Sequence, residues 1–399
     1  MQLKQLPEDF KKALPILKSI EQAGFQAYFV GGSVRDHILG LPIHDVDIAT
    51  SAYPEEIKSI FKHTVDTGIK HGTVTVLVND DSYEITTFRT ESGYQDYRRP
   101  DKVTFVRSLT DDLKRRDFTI NALAVDHKGN VVDNFDGLTD LRNKLIKAVG
   151  VAEERFHEDA LRMMRAVRFQ AQLDFKIEEK TKAAIKDNST LLEKIAIERI
   201  HEEFLKMLYG HSWKKGLTNF VELGLSQHCP GFENKQKELT KLINDENILF
   251  TDEEMAWTAL GYVLSLYDDD FNHFMRQWKV SNKVREDCLA TERMLLDFQT
   301  GNFDIWNIYT NGVDNFSRVI SLCGLFGIEI DQTEIEKTIS EIPIKSSHDM
   351  KITGKDVIDI LAIKPGPQIG QYMTALEKAV VEGQVVNSFK ELKRYLLKM

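Results

Sequence analysis

Two aspartates one residue apart, Asp45 and Asp47 in the run HDVDIA, form the pair on which chemistry can be built. Alternate side chains of an extended strand share a face, so both carboxylates would point the same way. Two like charges that close repel unless a cation lies between them, and hard oxygen ligands suit magnesium (Mg2+). Held there, such an ion bridges phosphate oxygens and activates an attacking hydroxyl, which is phosphoryl-transfer chemistry. Taken alone, an Asp-x-Asp is more often two ordinary aspartates on an exposed strand face. A further carboxylate on a neighbouring strand would complete the set, and Glu84, in the alternating run Tyr83-Glu84-Ile85-Thr86, is the candidate. Just upstream, a β-type run ends at Gly31-Gly32-Ser33, which opens a helix. Gly31 and Gly32 let backbone approach a ligand, the free N–H groups of a helix start attract phosphate, and Arg35 one turn in adds a cation.

A second cluster lies in EDALRMMRAVRF, residues 158–169. Read as one helix, Ala160, Met163, Met164 and Val167 make a buried stripe, and Asp159, Arg162, Arg165 and Arg168 fall on the remaining face, each one turn from the next. An ordinary helix would use that face for i, i+3 ion pairs. A ligand-binding helix would offer it to an anion or a base.

The elements that must position these residues divide into two styles. Up to residue 150 the chain mixes strand-like runs (26–30, 46–49, 73–78 and 83–87) with helical stretches; from Val151 onward helical periodicity dominates. The expected division is 1–150, 151–210, 211–320 and 321–399, with KPGPQ breaking a helix inside the last part. A chain of 399 residues is too long for one ordinary core, and 42% hydrophobic with 29% charged residues excludes a disordered chain. Charge and proline run through the first residues where a signal peptide would be apolar, and no uncharged run approaches the roughly 18 residues of a membrane span. Cys229, Cys288 and Cys323 form no Cys-x-x-Cys pair, which speaks against a structural zinc site and fits a reducing, cytoplasmic setting. The net charge of −10 does not exclude a nucleic-acid partner, because basic residues cluster locally at Arg98-Arg99, Lys114-Arg115-Arg116 and Arg162, Arg165 and Arg168.

The order Gly-Gly-Ser, Asp-Val-Asp, isolated strand Glu resembles the DNA polymerase beta-like nucleotidyltransferase superfamily. With GGSVRD, DVDIAT, KRRDFTINALA and EDALRMMRAVRF in that order, the chain resembles the bacterial class II CCA-adding enzymes and their relatives, the bacterial poly(A) polymerases. GKDVIDILAIKPGPQIGQYMTALEKAVVEG resembles the tail of CCA-adding enzymes from low-GC Gram-positive bacteria. The resemblance implies an elongated α+β chain: a nucleotidyltransferase head with a polymerase beta-like sheet, then an all-α neck, body and tail. It further implies template-independent addition of C and A to the 3′ end of tRNA from CTP and ATP, with magnesium as cofactor. Homodimers occur in that family, no membrane partner is implied, and a poly(A) polymerase or a non-catalytic RNA-binding protein of the same fold are the rival readings. Arg116, in KRRDFTINA, matches a position that helps hold the nucleotide, beside a helix start expected at Asp117. The polar stretch TESGYQDYRRPDK, with Glu91, Asp96 and Arg98, falls where such enzymes carry a flexible loop linked to the switch from C to A. No His-Asp phosphohydrolase motif is present.

Asp159 and Arg162 can be tested against base chemistry. C and A both present an exocyclic amino donor beside an unprotonated ring nitrogen, whereas U and G present a carbonyl beside a ring N–H. A carboxylate that accepts from the amino group next to a guanidinium that donates to the ring nitrogen suits C and A alike. For U or G both contacts are lost, at roughly 1–3 kcal/mol each. Arg165 and Arg168, further round, suit phosphate or sugar.

Overall fold

The computed structural model describes the chain apart from residues 79–80, 96–98, 245–248 and 302–303, and describes backbone alone at 92, 94–95, 99–102, 244 and 334. Two compact units divide it, Met1–Gln236 and Lys237–Met399.

The first unit opens with α1 (Glu8–Gln22), whose Phe10, Ala13, Leu17 and Ile20 recur at helical spacing and are buried. Phe10 stacks on Phe29 at 4.2 Å, fixing α1 against β1 (Ala27–Val30). Then follow α2 (Gly32–Leu39), β2 (Asp47–Thr50), α3 (Pro54–Ile60), β3 (Thr64–Gly68), β4 (Thr73–Val78), β5 (Asp81–Thr87), β6 (Arg89–Gln95), β7 (Arg99–Phe105), α4 (Leu109–Lys114), β8 (Leu123–Val125) and β9 (Val131–Asp133). Seven strands make one mixed sheet in the order β3-β4-β5-β2-β1-β8-β9. The single parallel pair in it, β2 with β5, aligns Ile48 with Ile85. The core inside the sheet is β-branched and aromatic: Val30, Ile48, Val74, Val76, Ile85 and Phe88 are buried.

β6 and β7 form a separate antiparallel ribbon, Arg89 opposite Phe105 and Gln95 opposite Arg99. The stretch read from sequence as a polar loop is therefore strand on both sides of its tip. Thr90 and Val103 supply β propensity, and backbone pairing between two polar strands needs no hydrophobic face. Asp96 and Arg98 lie outside the described residues.

Helices follow: α5 (Gly137–Arg142), α6 (Ala152–Glu158), α7 (Leu161–Leu173), α8 (Glu179–Asn188), α9 (Ile197–Leu208) and α10 (Trp213–Glu222), interrupted only by the two-residue strands Leu145–Ile146 and Lys176–Ile177 and short 3-10 turns. α7 is buried nearly all round, Arg162 and Arg168 included. Gly216 lets α10 close on it: a Cβ there would lie 2.9 Å from both Ala171 Cβ and the Val167 carbonyl, and 2.8 Å from Met207 Cγ.

Every regular element among the described residues of the second unit is a helix. Trp257, Phe274 and Trp278 pack together within it, and Val357, Leu376, Val380 and Leu392 centre a further core. No helix among the described residues is long and apolar enough to cross a membrane. An α+β head followed by helices is the architecture expected from the sequence.

Candidate active site

Sheet and helices meet at a cleft of about 590 Å³. From the head it receives Gly31, Gly32, Arg35, Asp47, Arg116 and Asn121; from the helical part, Asp159, Arg162, Arg165, Arg168 and Phe169 of the α6–α7 region and Arg199 and Glu203 of α9. Seven arginines face five carboxylates around it, so the lining keeps a net positive charge that favours a polyanion.

Asp47 opens β2, paired with Val30 at the end of β1. The turn after Val30 brings Gly31 against it: Gly31 has φ +72°, and a Cβ there would sit 3.2 Å from Arg116 Nη1 and 3.5 Å from Asp47 Oδ2. Glycine is thus required for both conformation and approach, and the requirement falls on Gly31 more than on Gly32. The Asp47 carboxyl titrates above the usual range. Crowding by protein atoms is the main cause, opposed by Arg116 and reinforced by Glu84 and Asp45.

Asp45 stands just outside the strand that Asp47 opens. Pairing with β1 ends at Val30 and Asp47, so Asp45 precedes the strand, exposed, and lines a separate depression with Asp9, His44 and Asp81. Glu84 is exposed on β5, one step before the Ile48–Ile85 pair and hence beside Asp47. Neither Asp45 nor Glu84 lines the main cleft, yet both lie near enough to raise the Asp47 pKa. Among the described residues no group of three or more His, Cys, Asp or Glu is arranged to hold a metal.

The arginines are held by an acceptor chain. Arg35 donates to Asp36 and, at 2.7 Å, to Asn121 Oδ1; Asn121 donates to Asp117 at 3.0 Å; and Asp117 takes an ion pair from Arg165 at 2.7 Å. Glu203 meets Arg168 at 3.2 Å and Arg165 at 3.8 Å. Though burial opposes it, Arg165 and the bonds from Asn121 and the Phe118 N–H hold the Asp117 carboxyl well below the usual range. Burial, with Arg165 beside it, brings Arg168 down to about 10. Arg116 pairs with the buried Asp112 at 3.2 Å, and its Nε is buried without a hydrogen-bond partner among the described residues, as is that of Arg168. Asp117 starts no α-helix: the chain passes through a 3-10 turn at Thr119–Asn121, and its carboxylate serves Arg165 and Asn121.

Asp159 is likewise not on a continuous helix. α6 ends at Glu158, Asp159 is extended (φ −142°, ψ 103°), and α7 begins at Leu161. The break arises because the short aspartate side chain turns back to accept the Leu161 N–H at 3.1 Å, competing with helical pairing. Its carboxylate takes both ends of the Arg199 guanidinium, at 3.0 and 3.4 Å. Arg162 pairs with Glu158 at 2.7 Å and donates to the carbonyls of Arg115 and Arg155. Asp159 and Arg162 therefore line one cleft, each braced by its own partner.

Sequence reading overlooked Arg199, Glu203 and Asn121. The first two sit one turn apart in AIERIHEEFLKMLYG, an amphipathic helix with several other charged residues, so nothing in the local pattern singles them out. Asn121 lies inside KRRDFTINALA, where its role depends on a turn no periodicity reveals.

Comparison with known proteins matches these parts. The Poly A polymerase head domain model covers residues 27–147, the probable RNA and SrmB-binding site of polymerase A covers 174–236, and the putative tRNA nucleotidyltransferase domain 2 covers 248–396. The CCA-adding enzyme of Ligilactobacillus salivarius is 53% identical over 387 residues, 97% of this chain and 96% of its own. That of Lactobacillus johnsonii is 50% identical over 391 residues, 97% of each. The crystal structure of the Bacillus stearothermophilus CCA-adding enzyme in complex with CTP superposes with a TM-score of 0.89 at 38% identity, covering 98% of both chains. With identity of this order along nearly the whole chain, carried on the same head and helical parts, the protein belongs to the CCA-adding enzymes, the tRNA nucleotidyltransferases.

Proposed function

We propose that the chain adds CCA to tRNA by a two-metal nucleotidyl transfer in which Asp159 and Arg162 act as the template for the incoming base. The observation that carries this reading is one cleft that puts Asp47, a ring of arginines, and the Asp159–Arg162 pair within reach of a single nucleotide. Magnesium is the ion we assign, with Asp45 and Asp47 as its ligands and Glu84 as the third carboxylate. When bound, it neutralises phosphate charge and lowers the pKa of the attacking 3′-hydroxyl. The hydroxyl gives up its proton to solvent as its oxygen bonds to the α-phosphorus, the bond to the bridging oxygen breaks, and pyrophosphate leaves with that electron pair. Arg35, Arg116, Arg165 and Arg168, with the backbone at Gly32, hold the triphosphate in line, which is where positioning contributes most.

Hydrogen-bond capacity supports the template role. A carboxylate accepts about four bonds. Asp159 already takes three, from Leu161 and twice from Arg199, which leaves capacity on Oδ2 for an amino N–H of C or A. Arg162 offers five donors, and Glu158 and the two carbonyls engage three, leaving donors for a ring nitrogen. We assign 1–150 to catalysis, 151–210 to nucleotide selection, and 211–320 and 321–399 to gripping tRNA by shape and backbone, as every tRNA demands. The site of action is the cytoplasm.

The test is incubation of the purified protein with a tRNA ending before CCA, magnesium and single nucleoside triphosphates. Two C residues, then one A and a stop, are expected; a long A tract would indicate a poly(A) polymerase. With Asp159→Ala, unchanged preference for C and A over U and G would remove the template role.

A further inference from the structure

Three of the cleft's arginines share one neighbour that carries no charge. The guanidinium carbons of Arg168, Arg35 and Arg165 lie over the Phe169 ring at 4.2, 4.9 and 5.3 Å from its centroid. The ring is 3% exposed, and Phe118 meets it edge-on at 5.9 Å and 90°, which fixes its plane. Arg35 comes from α2 of the head and the other two from α7, so the ring sits where separate elements converge.

Three guanidinium groups cannot hydrogen-bond one another, since each is donor only. Asn121, Asp117 and Glu203 tether them from one side. More carboxylates would hold them as firmly but would cancel the charge a phosphate needs. An aromatic face attracts cations through its quadrupole and adds no net negative charge, so it gathers them while leaving their field directed at the cleft. The buried Arg168 Nε, without a partner among the described residues, is a donor left over from this packing.

We propose that Phe169 is a positioning residue for nucleotide binding: its ring registers Arg35, Arg165 and Arg168 into a polyphosphate cradle without neutralising them. This rests on the reading that the arginine cleft takes the triphosphate. The cradle acts on phosphate and not on the base, so it serves CTP and ATP equally.

Calorimetric titration of the full chain with inorganic tripolyphosphate, without divalent metal, isolates this role, with cytidine as a phosphate-free probe of the base pocket. Phe169→Leu removes the π face and keeps an apolar side chain; it should weaken tripolyphosphate binding about tenfold and leave cytidine binding unchanged. KM for CTP and ATP should rise together, with the preference for C over U preserved. Phe169→Tyr should restore tripolyphosphate binding to within about twofold, because the ring face is retained. Phe169→Met, unbranched and more adaptable in a packed site, replaces the leucine variant if that one does not melt cooperatively. Undiminished tripolyphosphate binding in the variant lacking the ring overturns the inference, as does an equal loss of cytidine, which marks a packing role only. If the unsubstituted chain and Arg168→Ala bind tripolyphosphate alike, the assignment of the cleft to phosphate fails, and the cradle with it.

Discussion

Arg199→Ala should relax base selection while sparing the chemistry. Arg199 grips both oxygens of Asp159 from α9, at 3.0 and 3.4 Å, with the two side chains 26% and 21% exposed. A charge-assisted bond contributes about 1.5–3 kcal/mol net when shielded. Partial exposure reduces that to about 1–2 kcal/mol, or a factor of roughly 5 to 30. Without Arg199 the carboxylate keeps only the Leu161 N–H and rotates away from the amino group it would accept. The loss falls on CTP and ATP, which use that contact; UTP and GTP never make it. The assay is kcat/KM for all four triphosphates on tRNA ending before the first C and before the final A. The ratios of C to U and A to G should drop by that factor, and Arg199→Lys should fall between, since an ammonium does not match a carboxylate two-pronged. If CTP and UTP lose efficiency by the same factor, Arg199 does not act through Asp159, and the base-reading geometry is wrong.

Two further expectations concern stability. Gly216→Ala forces a Cβ to within 2.9 Å of α7, so it should cost about 1–3 kcal/mol in urea titration, whereas a stabilising effect would contradict the tight α7–α10 contact. Glu292 is buried in the second unit, and burial, with Asp268 nearby, pushes its carboxyl from 4.5 to about 7. Its folded pKa lies above the unfolded one, so its contribution is fully present below about 4.5 and is lost as pH rises through about 7. A full shift of that size bounds the effect at about 3 kcal/mol, and screening brings it to about 2. Glu292→Gln should therefore gain on the unsubstituted chain by about that amount between pH 4.5 and pH 8; parallel stability profiles would show the carboxyl titrates normally.

Much of this was legible in the sequence. Short alternating runs marked four of the strands, and helical spacing marked the change of style near Val151, because period alone reports which face is buried. Spacing also gathered Arg35, Asp47, Asp159, Arg162, Arg165 and Arg168, and the family resemblance added Arg116; all seven line one cleft. What escaped depended on backbone pairing and local capping. Asp45 was read into β2, yet β1 ends too early to pair with it. Asp159 was read into a helix that its own side chain breaks by capping Leu161. The ribbon of β6 and β7 lacks the apolar alternation that betrays half-buried strands. Arg199 and Glu203 reach the cleft from α9, and Asn121 works through a single turn, so their parts follow from tertiary approach that no local pattern encodes.

The proposed chemistry requires Asp47 at the reacting centre. Single-turnover addition of the first C by Asp47→Asn, at saturating magnesium, CTP and tRNA, probes it most directly. The side chain keeps its shape and loses its charge, so the rate should fall by at least about a hundredfold with tRNA affinity unchanged. A rate within about threefold of the unsubstituted chain, under about 0.7 kcal/mol of barrier, would place the chemistry elsewhere.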